Sequence, residues 1–84
     1  MIDLSKQRDK LREFSNYKIR DGVGAIVIYD NENRDVALIY KPNGDVQIDK
    51  KFYLKIPKPN KDKFNGVIKE LKAMVKAWTD VWSY

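Results

Sequence analysis

The chain has no cysteine and no histidine among its 84 residues. Without cysteine it forms no disulfide and no thiolate metal site. Without histidine it lacks the commonest general base and the commonest metal ligand of proteins. Its serine and threonine hydroxyls, at Ser5, Ser15, Thr79 and Ser83, therefore have no histidine partner for nucleophilic catalysis. We predict a protein that is not an enzyme and that uses no cofactor or metal.

Long apolar runs are also missing. No stretch approaches the roughly 20 apolar residues that a membrane-spanning helix needs. The first residues, Met1 to Leu4, include a charged Asp3 and contain no apolar core of a signal peptide. We therefore expect a cytoplasmic protein without membrane contacts, folded as a single domain over residues 1–84.

Positive charge is present in excess, and it is concentrated in one segment. The net charge is +5. All of this excess lies between Lys50 and Lys63, where six lysines accompany one acid, Asp62. The rest of the chain is balanced, so the sequence predicts one localised anionic partner rather than general stickiness.

The clearest pattern of secondary structure lies between Asn60 and Trp82. Apolar residues recur there at three- and four-residue spacing, which predicts an amphipathic helix with one apolar face. They are Phe64, Val67, Ile68, Leu71, Val75, Trp78, Val81 and Trp82. Pro59 disfavours helix at the residue before it, and we expect Asn60 to cap the helix. Trp78 and Trp82 are predicted to pack together on a sheet.

Strand patterns fill the middle of the chain. Residues 25–29 and 36–40 are rich in branched and aromatic side chains, which predicts two strands joined by a hairpin loop. Asn43-Gly44 predicts a second hairpin turn. The third strand starts at Asp45 and is expected to extend to Ile56, or to divide into two strands at Lys50. Its apolar residues alternate: Val46, Ile48, Phe52, Leu54 and Ile56.

The first two strands are apolar on both faces. Pairing of Ile28 with Val36 would place two apolar sets on opposite faces of the sheet. The first set is Ile26, Ile28, Val36, Leu38 and Tyr40, and the second is Ala25, Val27, Tyr29, Ala37 and Ile39. A strict two-residue turn at Asn43-Gly44 would align Ile48 with Ile39. We favour a bulged three-residue turn, which aligns Ile48 with Tyr40.

These elements predict an α+β fold: a short N-terminal helix over residues 3–15, an antiparallel meander of three or four strands, and a long C-terminal helix packed on the sheet. The second sheet face is covered either by the first helix or by another molecule. The first helix offers only Leu4, Leu11 and Phe14 for this purpose. We therefore expect a homodimer formed by the second sheet face or a strand edge, which Ile39→Lys would return to monomer.

The basic segment is the main candidate for function. If residues 45–56 form a strand, Lys51, Tyr53 and Lys55 project from one face. Ammonium groups can then meet phosphates while the ring stacks on a base, as in proteins that bind single-stranded nucleic acid. The predicted partner-binding residues are Lys50, Lys51, Tyr53, Lys55, Lys58, Lys61, Lys63, Lys69, Lys72 and Lys76. The competing interpretation is that these lysines only protect a sheet edge or solvate a helix.

Two functions from different classes follow. The first is a non-enzymatic binding module that docks on nucleic acid, preferably single-stranded, or on a nucleoprotein. The alternative is a protein-binding inhibitor or modulator, of the kind that phages encode. It would act on a larger host enzyme through an apolar sheet face or strand edge, with its lysines on an acidic protein surface.

Overall fold

A computed structural model shows two layers, with the helices on one face of a four-stranded antiparallel sheet. It describes the backbone of residues 3–82 and the side chains of residues 3–77. The predicted α+β class and the order of helix, meander and long helix are confirmed. The elements are α1 (Ser5–Phe14), β1 (Lys18–Asp21), β2 (Ala25–Tyr29), β3 (Asp35–Tyr40), β4 (Val46–Ile48), α2 (Lys50–Lys55) and α3 (Lys58–Trp82).

The fourth strand lies at the other end of the sheet from the position we predicted. Strands follow the order β1-β2-β3-β4, and β1 pairs with β2 through Ile19 opposite Ile28. Only Ile19 of β1 is buried, while Lys18, Arg20 and Asp21 are exposed. One apolar residue in four gives too weak a period to predict a strand, which is why this edge strand was missed.

The expected strand over residues 45–56 is wrong after Ile48, because Lys50–Lys55 is the helix α2. Asp49 caps this helix: its backbone is extended and its carboxylate accepts a hydrogen bond from the Lys51 amide at 2.8 Å. Phe52 and Ile56 lie four residues apart, which fits a helical as well as a two-residue period, but Leu54 extends only the two-residue period. Periodicity therefore favoured a strand in this segment, and Leu54 is 74% exposed on the helix that forms instead.

Helix α3 begins at Lys58 rather than at Asn60, and Asn60 is not its cap. The amides of Asn60 and Lys61 both donate to the Pro57 carbonyl oxygen, at 2.9 Å. Pro59 lies inside the first turn, where an amide hydrogen would have no partner within the helix. The proline thus supports the start of the helix instead of preceding it.

One hydrophobic core joins the helices to a single face of the sheet. Phe64, Leu71 and Val75 of α3 are fully buried against Ile26 and Ile39. The predicted apolar stripe of α3 is confirmed as far as Val75. The side chains of Trp78, Val81 and Trp82 lie outside the described residues, so their packing stays a prediction.

A β-bulge sets the register between β2 and β3. Ile28 pairs with Ala37 and Tyr29 pairs with Asp35, so Val36 is the extra residue of the bulge. The predicted pairing of Ile28 with Val36 is therefore wrong by one residue. Ala37 and Ile39 consequently lie on the core face, where both are buried.

The turn between β3 and β4 also differs from both versions we considered. Tyr40 and Asp45 close a loop over residues 41–44, with the Tyr40 amide donating to the Asp45 carbonyl at 2.8 Å. Val46 then pairs with Ile39, and Ile48 pairs with Ala37. The Asn43-Gly44 segment is a turn as predicted, and Gly44 has a left-handed backbone with φ of 73°.

Helix α1 shares the core face with α3, so it does not cover the second face of the sheet. Leu11 of α1 is fully buried in the same core as Phe64. The second face, which we term the open sheet face, contributes nothing to that core. It carries Ala25, Val27, Tyr29, Leu38 and Tyr40. No helix within residues 3–82 is both long and apolar enough to cross a membrane.

Candidate nucleic-acid interface

Five lysines of α3 lie along one side of the helix. At 100° per residue they fall within a sector of about 80°, beside the buried face. We call this set the lysine flank: Lys58, Lys61, Lys69, Lys72 and Lys76. From first to last it extends about 27 Å along the helix axis, at 1.5 Å per residue. Lys58, Lys69, Lys72 and Lys76 are exposed and Lys61 is half-buried.

The C-terminal part of the lysine flank lies against the turn between β3 and β4. Gly44 is buried there, and a Cβ at this position would lie 3.3 Å from Cγ of Lys76 and 3.8 Å from Cγ of Lys72. Both stems therefore pack on the turn, while the side chains as a whole remain exposed. This arrangement keeps the charged ends in water while ordering the carbon chains that carry them.

The N-terminal part of the lysine flank is anchored by Tyr53 of α2. The Lys61 ammonium lies 5.3 Å from the centre of the Tyr53 ring, and this ring also packs on Phe64 at 6.1 Å. The Asn65 amide donates to the Tyr53 hydroxyl oxygen at 3.0 Å. Tyr53 therefore positions Lys61, and the expected stacking of its ring on a base stays a prediction.

The remaining lysines of the basic segment divide between two places. Lys50, Lys51 and Lys55 are exposed on α2, the helix that directly precedes α3. Their predicted alternation on a strand is wrong, because residues two apart on a helix point in different directions. Lys63 lies on the other side of α3, where it lines a cleft together with Glu13.

No carboxylate neutralises the lysine flank among the described side chains. The ion pairs within residues 3–77 involve Lys10, Arg34 and Lys41, and none involves a lysine of α3 or α2. Helix α3 has two acids in its described part, Asp62 and Glu70. Glu70 faces α1, whereas Asp62 is exposed on the solvent side of α3.

On the opposite side of α3, an acidic side chain forms an ion pair with α1. Glu70 forms an ion pair with Lys10 of α1 and accepts a hydrogen bond from the Gln7 amide at 3.0 Å. The bond from Lys10, followed by the one from Gln7, lowers the pKa of Glu70. Gln7 is buried at this contact, although it lies in what the sequence suggested was a polar gap. This pairing fixes α1 beside α3.

The acidic loop between β2 and β3 serves the fold. Asp30 is buried and accepts from the Glu32 amide, the Arg34 amide and the Arg34 guanidinium, at 2.8–3.0 Å. Burial alone would raise the pKa of Asp30, but the bonds from Arg34 and Glu32 outweigh it and lower the pKa. Within the described part of the chain, no three acidic side chains form a group that could hold a metal.

Comparison of the chain with protein-family models, curated protein sequences and solved structures gives no significant match. Function therefore has to be argued from the lysine flank and the surfaces around it. Sequence reasoning found all five of its lysines but missed Asn65, which fastens Tyr53. A hydrogen bond between two helices leaves no signal in the spacing of residues.

Proposed function

We propose that the protein is a non-enzymatic module that binds the phosphate backbone of nucleic acid through the lysine flank. The carrying observation is that five lysines share one side of a single helix and have no carboxylate partner among the described side chains. Helix α2 directly precedes α3 in the chain and adds three exposed lysines, Lys50, Lys51 and Lys55. Phosphate contacts of this kind supply affinity without reading base sequence.

The linear arrangement favours nucleic acid over an acidic protein. Lys69, Lys72 and Lys76 are spaced by about one helical turn, or roughly 5 Å of axial rise. A regular row of cations suits a polymer whose charges repeat regularly. An acidic protein surface offers carboxylates at irregular positions, for which clusters of arginine forks are better suited. The lysine flank has no arginine.

The outermost face of α3 argues against reading of bases in a duplex groove. It carries Asp62, Gly66, Ala73 and Ala77, which are exposed. Apart from the acid, these residues have no side chain that donates or accepts hydrogen bonds from base edges. We therefore propose that a flexible single strand, rather than a duplex, follows the lysine flank and turns toward α2. Base preference is expected to be weak.

The test is a fluorescence titration of short single-stranded oligonucleotides with the wild type and two variants. Lys69→Gln/Lys72→Gln removes two charges from the lysine flank. Lys6→Gln/Lys63→Gln removes two charges elsewhere and has the same net charge. We expect the first variant to lose affinity roughly tenfold at low salt, because two phosphate contacts disappear. The second is expected to bind like the wild type.

Two results would contradict this proposal. Absence of binding by the wild type at low salt would remove nucleic acid as the partner. An equal loss in both variants would mean that net charge, and not the lysine flank, governs binding. A duplex of the same sequence serves as a further comparison, since stronger binding to duplex would overturn the preference for a single strand.

A second function, docking on protein through the open sheet face, is favoured by one observation. Leu38 and Tyr29 are half-buried there and Tyr40 is 37% exposed, with no helix contributing to that face. A second copy of the chain is the simplest occupant, because one symmetric contact would cover the open sheet face of each copy. Sedimentation at tens of micromolar would then show twice the monomer mass, and a strictly monomeric wild type would contradict the dimer.

Ile39→Lys, the substitution suggested by the sequence, does not test this second function. Ile39 was expected on the second face, but it is fully buried in the core. Ile39→Lys would therefore disrupt folding and report nothing about association. Leu38→Lys places the charge on the open sheet face, and we expect it to return a dimer to monomer without loss of the fold.

A further inference from the structure

A cleft lies between the C-terminal half of α1 and the edge strand β1, at the other end of the strand order from the turn between β3 and β4 on which Lys72 and Lys76 pack. Its volume is about 480 Å³. Sites for small ligands generally measure about 300–1,000 Å³. The residues that matter for its chemistry are Arg8, Arg12, Tyr17, Lys18, Tyr29 and Asn31. We call it the arginine cleft.

The arginine cleft is positive and contains no acid. Arg8 and Arg12 are one turn apart on α1, and Lys18 opens β1 opposite them. All three are exposed, and none forms an ion pair with a side chain of residues 3–77. No carboxylate is among the residues that line the cleft. Two guanidinium forks and an ammonium so placed are suited to phosphate oxygens.

The aromatic walls of the arginine cleft are held in place by the fold. The Tyr17 ring meets Phe52 and Phe64 edge to face, each at 6.4 Å between ring centres. Burial, followed by the charge of Asp30, raises the pKa of Tyr17, so its hydroxyl stays neutral. The guanidinium of Arg20 lies 5.9 Å from the centre of the Tyr29 ring.

The chain segment that forms the floor is also fixed. Ser15 ends α1, and its hydroxyl donates to the Leu11 carbonyl at 2.7 Å. The same hydroxyl oxygen accepts a hydrogen bond from the Tyr17 amide at 3.2 Å. The connection from α1 to β1 is therefore defined by side-chain bonds, and Tyr17 enters the cleft at a set position. A preformed site of this kind loses little entropy when a ligand binds.

We propose that the arginine cleft binds a phosphorylated nucleotide. Arg8, Arg12 and Lys18 hold the phosphate, and a tyrosine ring packs against the base. The Asn31 amide, which both donates and accepts, hydrogen-bonds to the edge of the base. A bare phosphate would leave the tyrosines and Asn31 unused. The same chemistry is offered by a free nucleotide and by the phosphorylated end of a nucleic-acid strand.

The experiment is a titration followed by amide NMR shifts, with three probes: adenosine 5′-monophosphate, adenosine and inorganic phosphate. We expect the monophosphate to shift the amides of Tyr17, Lys18 and Asn31, and adenosine to shift none of them. Arg12→Gln should weaken binding of the monophosphate roughly tenfold or more, because a charge-assisted bond is lost. Lys6→Gln removes one charge from the same helix outside the cleft and should leave binding unchanged.

Several results would overturn the proposal. They are the absence of shifts with the monophosphate at millimolar concentration, equal binding of inorganic phosphate, and equal losses in Arg12→Gln and Lys6→Gln. Oligonucleotides with and without a 5′ phosphate distinguish the two sources: a preference for the phosphorylated strand assigns a strand end, and no preference assigns a free nucleotide. Lys69→Gln/Lys72→Gln is expected to leave monophosphate binding intact. The proposals for the arginine cleft and for the lysine flank are therefore tested independently of each other.

Discussion

The two sides of helix α3 carry the same kinds of residue in different electrostatic settings. On the side that faces α1, Glu70 is bonded to Lys10 and Gln7, so its charge is paired. On the side that forms the lysine flank, no lysine meets a carboxylate among the described side chains. Pairing thus assigns one side to the docking of a helix and leaves the other available for an anionic partner.

The lysines of the basic segment, residues 50–63, do not all lie in one binding site. Lys61 and Lys63 are two residues apart, yet Lys61 lies over Tyr53 while Lys63 lines a cleft beside α1. Charge density along the chain does not distinguish them. The rotation of 200° between them on the helix does, and it places only Lys61 in the lysine flank.

The largest expected effect comes from removing a core residue near the start of α3. Phe64 is fully buried and its ring packs on Tyr17 and Tyr53. Phe64→Ala should lower the free energy of unfolding by about 3–5 kcal/mol, since the cavity touches α2 and the start of β1. Urea unfolding measures the change, with the exposed Lys69→Ala as control, expected within about 0.5 kcal/mol of the wild type. A Phe64→Ala protein as stable as the control would refute the core described here.

A smaller effect is expected at the turn that supports the lysine flank. Gly44 has φ of 73°, and an added Cβ would lie 3.3 Å from Cγ of Lys76. Gly44→Ala should cost about 1–2 kcal/mol from backbone strain. Adding Lys76→Ala to this variant should recover only the part due to crowding. Thermal melts measure both, and a Gly44→Ala protein of unchanged stability would mean that the turn does not hold this conformation.

The ion-paired side of α3 should respond to pH, with a smaller effect. The pKa of Glu70 is lowered in the folded state, so its contribution to stability is present above the usual pKa of about 4.3. That contribution is lost as the pH falls through the lowered value. Glu70→Gln should cost at most about 1 kcal/mol at neutral pH, because the pair is partly exposed.

Unfolding of the wild type and Glu70→Gln as a function of pH checks this prediction. The difference between the two proteins should shrink as the solution is acidified. Glu13→Gln, another exposed glutamate in this region, provides the control and should show no such convergence. A difference that stays constant down to acid pH would show that Glu70 contributes through packing and not through its charge.

Much of the fold was predictable, and the failures have identifiable causes. Helix α3 has a strong helical period, and strands β2 and β3 are runs of branched and aromatic residues, so each was found. Residues 50–55 continue the two-residue period of β4 although they form a helix, β1 has one buried apolar residue, and the bulge at Val36 depends on pairing with another strand. The sequence did not determine which face of the sheet α1 packs on, because three apolar residues do not indicate which face they will contact.

The candidate sites were predictable to different degrees. The lysines of α3 recur at helical spacing and could be named from the sequence, although the contacts of the Tyr53 ring with Lys61 and Phe64 could not be foreseen. The arginine cleft was missed entirely. Arg8 and Lys18 become neighbours only because α1 packs beside an edge strand that the sequence barely indicated.

The salt dependence of binding tests the central claim most directly. The observed binding constant for a short single-stranded oligonucleotide is measured over a range of salt concentrations for three proteins. They are the wild type, Lys69→Gln/Lys72→Gln and Lys6→Gln/Lys63→Gln. If the lysine flank contacts phosphates, each lysine removed from it reduces the logarithmic slope by about 0.7, so the first variant should differ from the wild type by about 1.4. The second variant should keep the slope of the wild type. Identical slopes for all three proteins would contradict the assignment of the lysine flank as the nucleic-acid interface.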